Sequence, residues 1–469
     1  MGSTLTSEVA RKAEREWQQL CDIYLPIRPR NSVWRYSRKP DPDYPSQGWK
    51  LHVSATILSA CRIFRAIAPY LNRRKLPFKA LKSLAELKKL NFGILYGFSQ
   101  VGKFVTIYPP STRTAVAIAS ELHNLTANQP APMVPYDNPL RDKSCIYYRY
   151  GSFSKYVKVT FRGESVFAIV RPDGRLVPDF RKPRAAVPRW LTDPFQPQHS
   201  QTARVPSTPL ETTYTNYEAL VQRGKGGIYQ ALDLSSAPPK LCVIKEGRRH
   251  GETDWPGDDG FDRIKREAQF LRLTSPLIPA VPRIITTFRA NGCFYLVMER
   301  IVGRSLQRVI ASGERISTRR MLEYCANMAR IVADIHAVGW VWCDCKPANF
   351  LCQKNHKLRA LDFEGACRLR ATDPLRWATP GYTPPGRRRN TRDLEAADLY
   401  ALGTSIMQLI ARSHSPTKLT AAFKREMRKR KLPGPLVKMI QNLRNPKART
   451  QPSGRASQQR LEKMLVKYS

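Results

Sequence analysis

The chain has 469 residues, 42% of them hydrophobic, and sets 79 Lys+Arg against 37 Asp+Glu for a formal charge of +42. That length exceeds the size at which one core keeps growing, so two or three domains are expected, and the apolar fraction excludes a wholly disordered chain. The charge predicts an anionic partner (an acidic peptide, phosphate groups, nucleic acid or a membrane surface) without choosing among them.

The N-terminus, Met1-Gly-Ser-Thr-Leu-Thr-Ser-Glu8, lacks the apolar core of a signal peptide. No uninterrupted apolar run approaches the roughly 18 to 20 residues that cross a bilayer, so a soluble, cytoplasmic protein without a membrane span is expected. Gly2 with Thr6 fits a myristoylation pattern too short to carry weight. The ten Cys are scattered, which argues against a disulfide framework, and Cys343, Cys345 and Cys352 lack the CxxC pairing of a zinc site. Local basic runs stand at 387–389 and 424–431.

Thr6 or Ser7 caps a predicted helix that runs to about Cys21, and the Pro- and Arg-rich residues 25–45 read as irregular chain. Between Gln47 and Gly151, strand-like 49–55, 103–108 and 145–150 alternate with helix-like 57–71, 80–90 and 113–125, an α+β pattern. Within 47–54, Lys50, His52 and Ser54 project from one strand face while Trp49, Leu51 and Val53 fill the other. Lys79, Lys103, Arg141 and Arg149 add cations nearby in the sequence, without conspicuous paired carboxylates. Several cations and one His suit a phosphorylated substrate. Elimination of phosphate from phosphoserine or phosphothreonine needs a base for the α-proton, an acid for the leaving oxygen and cations for the phosphate. A Lys whose pKa is lowered by burial and by its cationic neighbours serves as the base, and His52 as the acid. The plainer reading makes His52 a satisfied core histidine and the lysines a solvated strand face.

Residues 182–210 carry Pro and polar residues without periodicity and read as a linker between a first domain, 1–181, and a second, 211–469. The second domain opens strand-rich, to about residue 299, and continues with helical patterns from about 300 to its end. No internal repeat is found.

Its motifs follow in order. Gly224-Lys-Gly226-Gly227 is a turn between strand-like runs, where missing side chains let backbone amides approach phosphates. Leu241-Cys-Val-Ile-Lys245 ends a β-branched run in a Lys placed to touch nucleotide phosphates, and Glu267, in the helix-like run 261–272, is positioned to pair with it. Tyr295-Leu-Val-Met-Glu299 reads as a buried strand leading into an adenine-binding hinge, with Glu299 among the nucleotide contacts. A helix over 321–336 delivers the chain to Asp344-Cys-Lys346-Pro-Ala-Asn349 and Asp362-Phe-Glu364. There Asp344 orients an attacking hydroxyl, Lys346 steadies the γ-phosphate, and Asn349 and Asp362 offer oxygens to Mg²⁺.

With these motifs in place, residues 212–469 resemble the protein-kinase superfamily, including Thr379-Pro-Gly-Tyr-Thr-Pro-Pro385 and Asp398-Leu-Tyr-Ala-Leu-Gly403. The resemblance implies a two-lobed kinase-like fold with ATP and Mg²⁺ as cofactors. Trp342 and Cys343 stand where His and Arg usually precede the catalytic Asp, Glu364 replaces the Gly of Asp-Phe-Gly, and Pro384-Pro385-Gly386 replaces Ala-Pro-Glu. Without an Arg at 343, activity is expected not to depend on activation-loop phosphorylation.

The Asp-Phe-Glu variant resembles the kinase domain of class III and class IV lanthipeptide synthetases. Residues 47–151 resemble their lyase domain, and more distantly the phosphothreonine lyases of bacterial effectors, through Gly48-Trp-Lys-Leu-His-Val-Ser54, Phe78-Lys79, Gln100-Val-Gly-Lys103 and Tyr147-Tyr-Arg149-Tyr-Gly151. The resemblance implies Lys79 as the base, His52 as the acid, and Lys50, Arg141 and Arg149 around the phosphate, with Lys103 and Tyr148 beside them. Those synthetases continue into a cyclase domain for which this chain, ending at Ser469, has no room, so cyclisation is expected from a separate polypeptide or without a dedicated domain.

The expectation is therefore an α+β phospholyase-like domain followed by a kinase-like domain, acting on a Ser/Thr-containing precursor peptide with an acidic leader. The alternatives are a Ser/Thr protein kinase whose N-terminal domain binds phosphopeptide without chemistry, and a basic pseudokinase scaffold for nucleic acid. The intact Lys245, Glu267, Asn349 and Asp362 make nucleic acid the least favoured partner.

Overall fold

The computed structural model describes residues 2–39, 41–153, 158–183, 186–196, 208–370, 379–384, 394–413, 415, 419–445 and 451–466. Residues 197–207 of the expected linker, the Pro385-Gly386 pair and the run 387–389 lie outside them. The chain divides into two compact units: Met1–Tyr229 with Lys245–Asp262 and Arg289–Phe294, and Gln230–Ile244 with Arg263–Phe288 and Tyr295–Ser469. Helix and strand are mixed throughout, as the α+β expectation required.

The first unit is built on a six-stranded sheet in the order β1-β3-β4-β2-β6-β5, from β1 (Trp34–Tyr36), β2 (Gln47–Val53), β3 (Phe78–Leu81), β4 (Val105–Ile107), β5 (Asn138–Pro139) and β6 (Ile146–Ser152). Four helices accompany it: α1 (Gly2–Tyr24), α2 (Ala60–Arg73), α3 (Leu84–Phe92) and α4 (Thr112–Leu125). One face of β2 puts Trp49, Leu51 and Val53 into a core shared with Trp17, Ile63, Phe64 and Ile67, all buried. Trp17 sits with its ring 4.9 Å from Phe64 and 5.0 Å from Phe104 and donates its Nε1–H to Leu81 O, so burying the indole leaves no polar atom unsatisfied.

Several local expectations are corrected. The first helix begins at Gly2, so neither Thr6 nor Ser7 caps it. Residues 25–45 are not wholly irregular, because pairing with β3 recruits β1 from their middle. The helix expected over 80–90 is a strand end followed by α3, which starts after Ser83, whose hydroxyl caps the Glu86 amide. A three-stranded sheet, β7 (Lys158–Phe161), β8 (Glu164–Val170) and β9 (Leu176–Pro178), adds to the expected elements. Part of the expected linker is core: Phe195 is buried and stacks on Tyr148 at 4.1 Å, and Ala186 O accepts from Tyr150 N.

After a short helix α5 (Pro209–Thr212), β10 (Tyr214–Arg223), β11 (Gly226–Asp233), β12 (Lys240–Arg248), β13 (Ile284–Ala290) and β14 (Cys293–Glu299) form a five-stranded sheet. The second unit contains most of α6 (Gly260–Thr274), from Arg263 on, with α7 (Leu306–Ala311), the buried α8 (Thr318–Ala337) and α9 (Leu394–Ala411). Short strand pairs frame its catalytic loop, with Val341 opposite Cys367 and Phe350 opposite Ala360. No helix among the described residues is long and apolar enough to cross a membrane.

Candidate functional site

Strand register assembles the first site. Tyr36 pairs with Lys79, Lys79 with Thr106 and Thr106 with His52, so one row crosses four strands, and Lys50 pairs with Arg149 in an adjacent row. Lys50, His52, Lys79, Thr106 and Arg149 line a cavity of about 50 Å³ with Trp34, Gln100, Lys103, Tyr108 and Arg181. Lys50, His52, Lys103 and Arg149 are buried, and the Lys79 ammonium lies 4.5 Å from the centre of the Trp34 ring.

Two carboxylates that the sequence reading missed hold this face together. Asp137 accepts from Lys103 Nζ at 3.0 Å and meets His52 Nδ1 at 2.5 Å; Asp179 accepts from Arg149 Nη2 at 2.5 Å and from the Ser152 amide at 3.2 Å. Burial works against the charge on Asp137, yet Lys103, His52 and Arg149 hold it below the usual carboxylate range. Burial, with Lys103 and Lys50 close by, pulls His52 down to about 3 against the opposing Asp137, so the imidazole is neutral at pH 7. Its Nδ1–H is then assigned to Asp137, and Nε2 carries the lone pair. Burial, reinforced by Arg149, Arg181 and Lys79, pulls Lys50 to about 7 despite Asp179; Lys103 falls to about 8, chiefly from burial.

Arg141 does not join this cavity: it is exposed in a turn and absent from the lining. Tyr148 is structural, donating its hydroxyl to Asp193 and stacking on Phe195. Neither Asp137 nor Asp179 lies in a periodic run, and sequence spacing ties neither of them to His52 or Arg149, so no pattern pointed to them.

The glycine-rich turn, taken within the first unit, departs from expectation. The Gly224 amide donates to Phe92 O at 3.3 Å and the Lys225 amide to Glu252 Oε1 at 3.1 Å. Added Cβ atoms at Gly224 and Gly226 would lie 1.7 Å from Asn91 O and Glu246 O. These glycines serve close backbone approach, and the Gly224 and Lys225 amides already have protein acceptors in place of a phosphate. Gly227 is buried beside the Tyr229 ring, and Lys245 is buried at the end of its apolar run on β12.

In the second unit the catalytic-loop geometry is compact. Asp344 is buried; its Oδ2 accepts from Lys346 Nζ at 2.7 Å and Asn349 Nδ2 at 2.8 Å, and its Oδ1 from Thr379 Oγ1 at 2.7 Å. Asn349 donates through its amide nitrogen to the Asp344 carboxylate and carbonyl, so its amide oxygen keeps its acceptor capacity. Glu267, Asp362 and Glu364 bring carboxylate oxygens within 4.8 Å of one another, a hard-oxygen donor set that fits Mg²⁺. Glu267 Oε1 also accepts from the Phe363 amide.

The two departures at 342 and 343 have structural answers. Trp342 is fully buried, stacks on Phe363 and donates Nε1–H to Asp362 O at 3.0 Å. Asp398 accepts from the amides of Trp342 and Cys343, both at 2.7 Å. Asp362 and Cys343 take the left-handed backbone region with φ of 67° and 64°, conformations that these contacts hold in place. Glu299 ends β14, where its carboxylate accepts from Arg283 and Arg359 and its amide donates to Arg283 O.

Residues 26–207 match the family described as RamC, N-terminal domain, and residues 217–467 match the protein kinase domain. A probable SapB synthase of Streptomyces coelicolor is 30% identical over 381 residues, covering 79% of this chain and 40% of that protein. Serine/threonine-protein kinase F of Synechocystis is 26% identical over 220 residues, 43% of this chain and 44% of that protein. Serine/threonine-protein kinase B of the same organism is 28% identical over 213 residues, 41% of this chain and 36% of that protein. The chain thus spans less than half the length of these curated relatives.

Proposed function

Since the chain belongs to the protein kinase family and joins its kinase domain to a RamC-type N-terminal domain, we propose that it installs phosphate on Ser or Thr of a ribosomal peptide and then eliminates it. The kinase half uses ATP, and Mg²⁺ held by Asn349 and Asp362 neutralises charge on the nucleotide phosphates. Asp344, fixed by Asn349, orients the peptide hydroxyl, and Lys346 steadies the transferred phosphoryl group. The printed name of the SapB synthase, and the resemblance to lanthipeptide synthetases, support a peptide substrate, with an acidic leader to suit the +42 charge and a separate cyclase as partner. The ten cysteines, scattered along the chain without the spacing of a disulfide framework, suit a cytoplasmic setting.

The observation that carries the lyase half is the convergence of Lys50, His52, Lys79 and Arg149 on one cavity. A neutral lysine takes the Cα proton, the C–H electrons form the Cα=Cβ bond, and the Cβ–O bond breaks with its electron pair on the departing phosphate. The products are a dehydroalanine or dehydrobutyrine residue and inorganic phosphate. Arg149, Lys103 and Arg181 bind the dianion. His52, neutral before binding, takes up a proton as the dianion raises its pKa and passes it to the leaving oxygen.

Two lysines compete for the role of base. The resemblance implies Lys79, which lies against the Trp34 face; the pocket favours Lys50, which burial pulls to about 7. Mass spectrometry of a co-expressed precursor tests the whole proposal: each modified residue loses the mass of one water, and phosphopeptide persisting with the wild-type chain would remove the lyase assignment. Elimination lost in Lys79→Ala but retained in Lys50→Ala assigns Lys79 as the base, and the reverse pattern assigns Lys50.

A further inference from the structure

The cationic pocket opens into a second cavity of about 750 Å³, and the two share Trp34, Lys50, Lys79, Gln100, Tyr108 and Arg181 in their linings. The larger cavity has a different chemistry. Trp34, Tyr36, Tyr44, Tyr108 and Phe153 line it, and all five are half-buried. Their placement is firm: Phe153 packs edge-on to Tyr108 at 5.2 Å, the Tyr44 hydroxyl donates to Tyr108 O, and Tyr36 is held in register opposite Lys79. A phosphate alone uses none of these surfaces, and the six shared lining residues set them beside the cationic pocket.

We propose that this aromatic chamber is a specificity subsite, which receives a large apolar side chain, aromatic above all, on the residue adjacent to the phosphorylated Ser or Thr. The inference rests on the lyase reading of the cationic pocket and deepens it by naming the class of sequence that the pocket accepts. A volume of this size suits one or two large side chains. An aromatic occupant gains edge-to-face partners in Tyr108 and Phe153 as well as apolar burial. A flanking carboxylate gains nothing from these rings and gives up hydration on entering.

The full-length chain is tested with blocked phosphoserine peptides that differ only in carrying Gly, Asp or Phe immediately before or after the phosphoserine. Phosphate release and calorimetric binding are both recorded. Phe on at least one side is expected to raise kcat/KM about tenfold over Gly, with Asp no better than Gly. Phe153→Ala should erase most of the Phe advantage while the Gly peptide keeps its rate. Phe167→Ala, at an exposed position of the same lining, supplies a second variant that spares the core. Equal phosphate release from Gly, Asp and Phe peptides overturns the subsite and leaves the lyase reading standing. No release from any peptide overturns the lyase reading, and the binding data then decide the chamber: tighter binding of the Phe peptides sustains it, equal binding removes it.

Discussion

The N-terminal pocket and the kinase catalytic loop are both buried polar clusters, and they carry opposite charge. Around the first, five cations (Lys50, Lys79, Lys103, Arg149 and Arg181) surround a cavity whose ion pairs run to Asp137 and Asp179; in the second, Glu267, Asp362 and Glu364 cluster and Asp344 pairs with Lys346. An anion entering the first meets cations supplied by the protein, whereas the second presents oxygens that need cations brought to them. Under the proposed function, the difference matches the two states of one phosphoryl group, which arrives on a nucleotide with metal and departs alone.

The largest expected effect separates the halves. Asp344→Asn should cut phosphate incorporation by about 10²–10⁴-fold in a radiolabel transfer assay, while a pre-phosphorylated peptide is still eliminated at the wild-type rate. If elimination falls as well, the halves are not independent. Next, removing the base, by Lys79→Ala or by Lys50→Ala according to which lysine holds that role, should slow elimination by about 10²–10⁴-fold and make phosphopeptide accumulate, leaving incorporation untouched.

Asp137→Ala tests what holds the cationic face in place. It leaves Lys103 and His52 without their buried partner and should cost about 3–5 kcal/mol, read as a lower melting temperature of the full chain. Unchanged melting would mean that the cations are held by packing alone.

The units should also diverge with pH. Although burial opposes it, Asp398 and Glu395 raise His336 to about 9, so its proton stabilises the second unit fully below about 6.5 and is lost as pH climbs through 9, up to about 3 kcal/mol. His52 works the other way: its depressed pKa contributes stability above about 6.5 that is lost as pH falls toward 3. Urea titrations from acid to alkaline pH should show these opposite slopes, and His336→Gln should flatten the alkaline one.

The smallest effect lies inside the pocket. Elimination kcat/KM should rise about tenfold between about pH 6 and 8, because a lysine base works only unprotonated and Lys50 loses its proton near 7. Lys50→Arg should abolish that rise; a flat wild-type profile leaves the base role to Lys79.

What could be read in advance followed the range of the signal. Lys50 and His52 were visible because strand alternation is local, and Asp344, Asn349 and Asp362 because a loop and the strands beside it fix their spacing. Asp137 was not, since its link to His52 spans 85 positions and depends on a turn folding back over the sheet. Trp34 was hidden in a stretch rich in Pro and Arg, where only pairing with β3 makes a strand. Gly224 misled for a physical reason: a glycine required for close backbone approach looks the same in sequence whether the neighbour is a phosphate or, as here, the carbonyls of Asn91 and Phe92.

The Lys79 ammonium beside the Trp34 ring gives the pocket an optical handle. An anion that draws the ammonium off the indole changes the electric field on the chromophore, so Trp34 emission should report occupancy directly. Arrival and departure of phosphate then become observable in real time, in a chain replaced at its other tryptophans and without a label on the peptide.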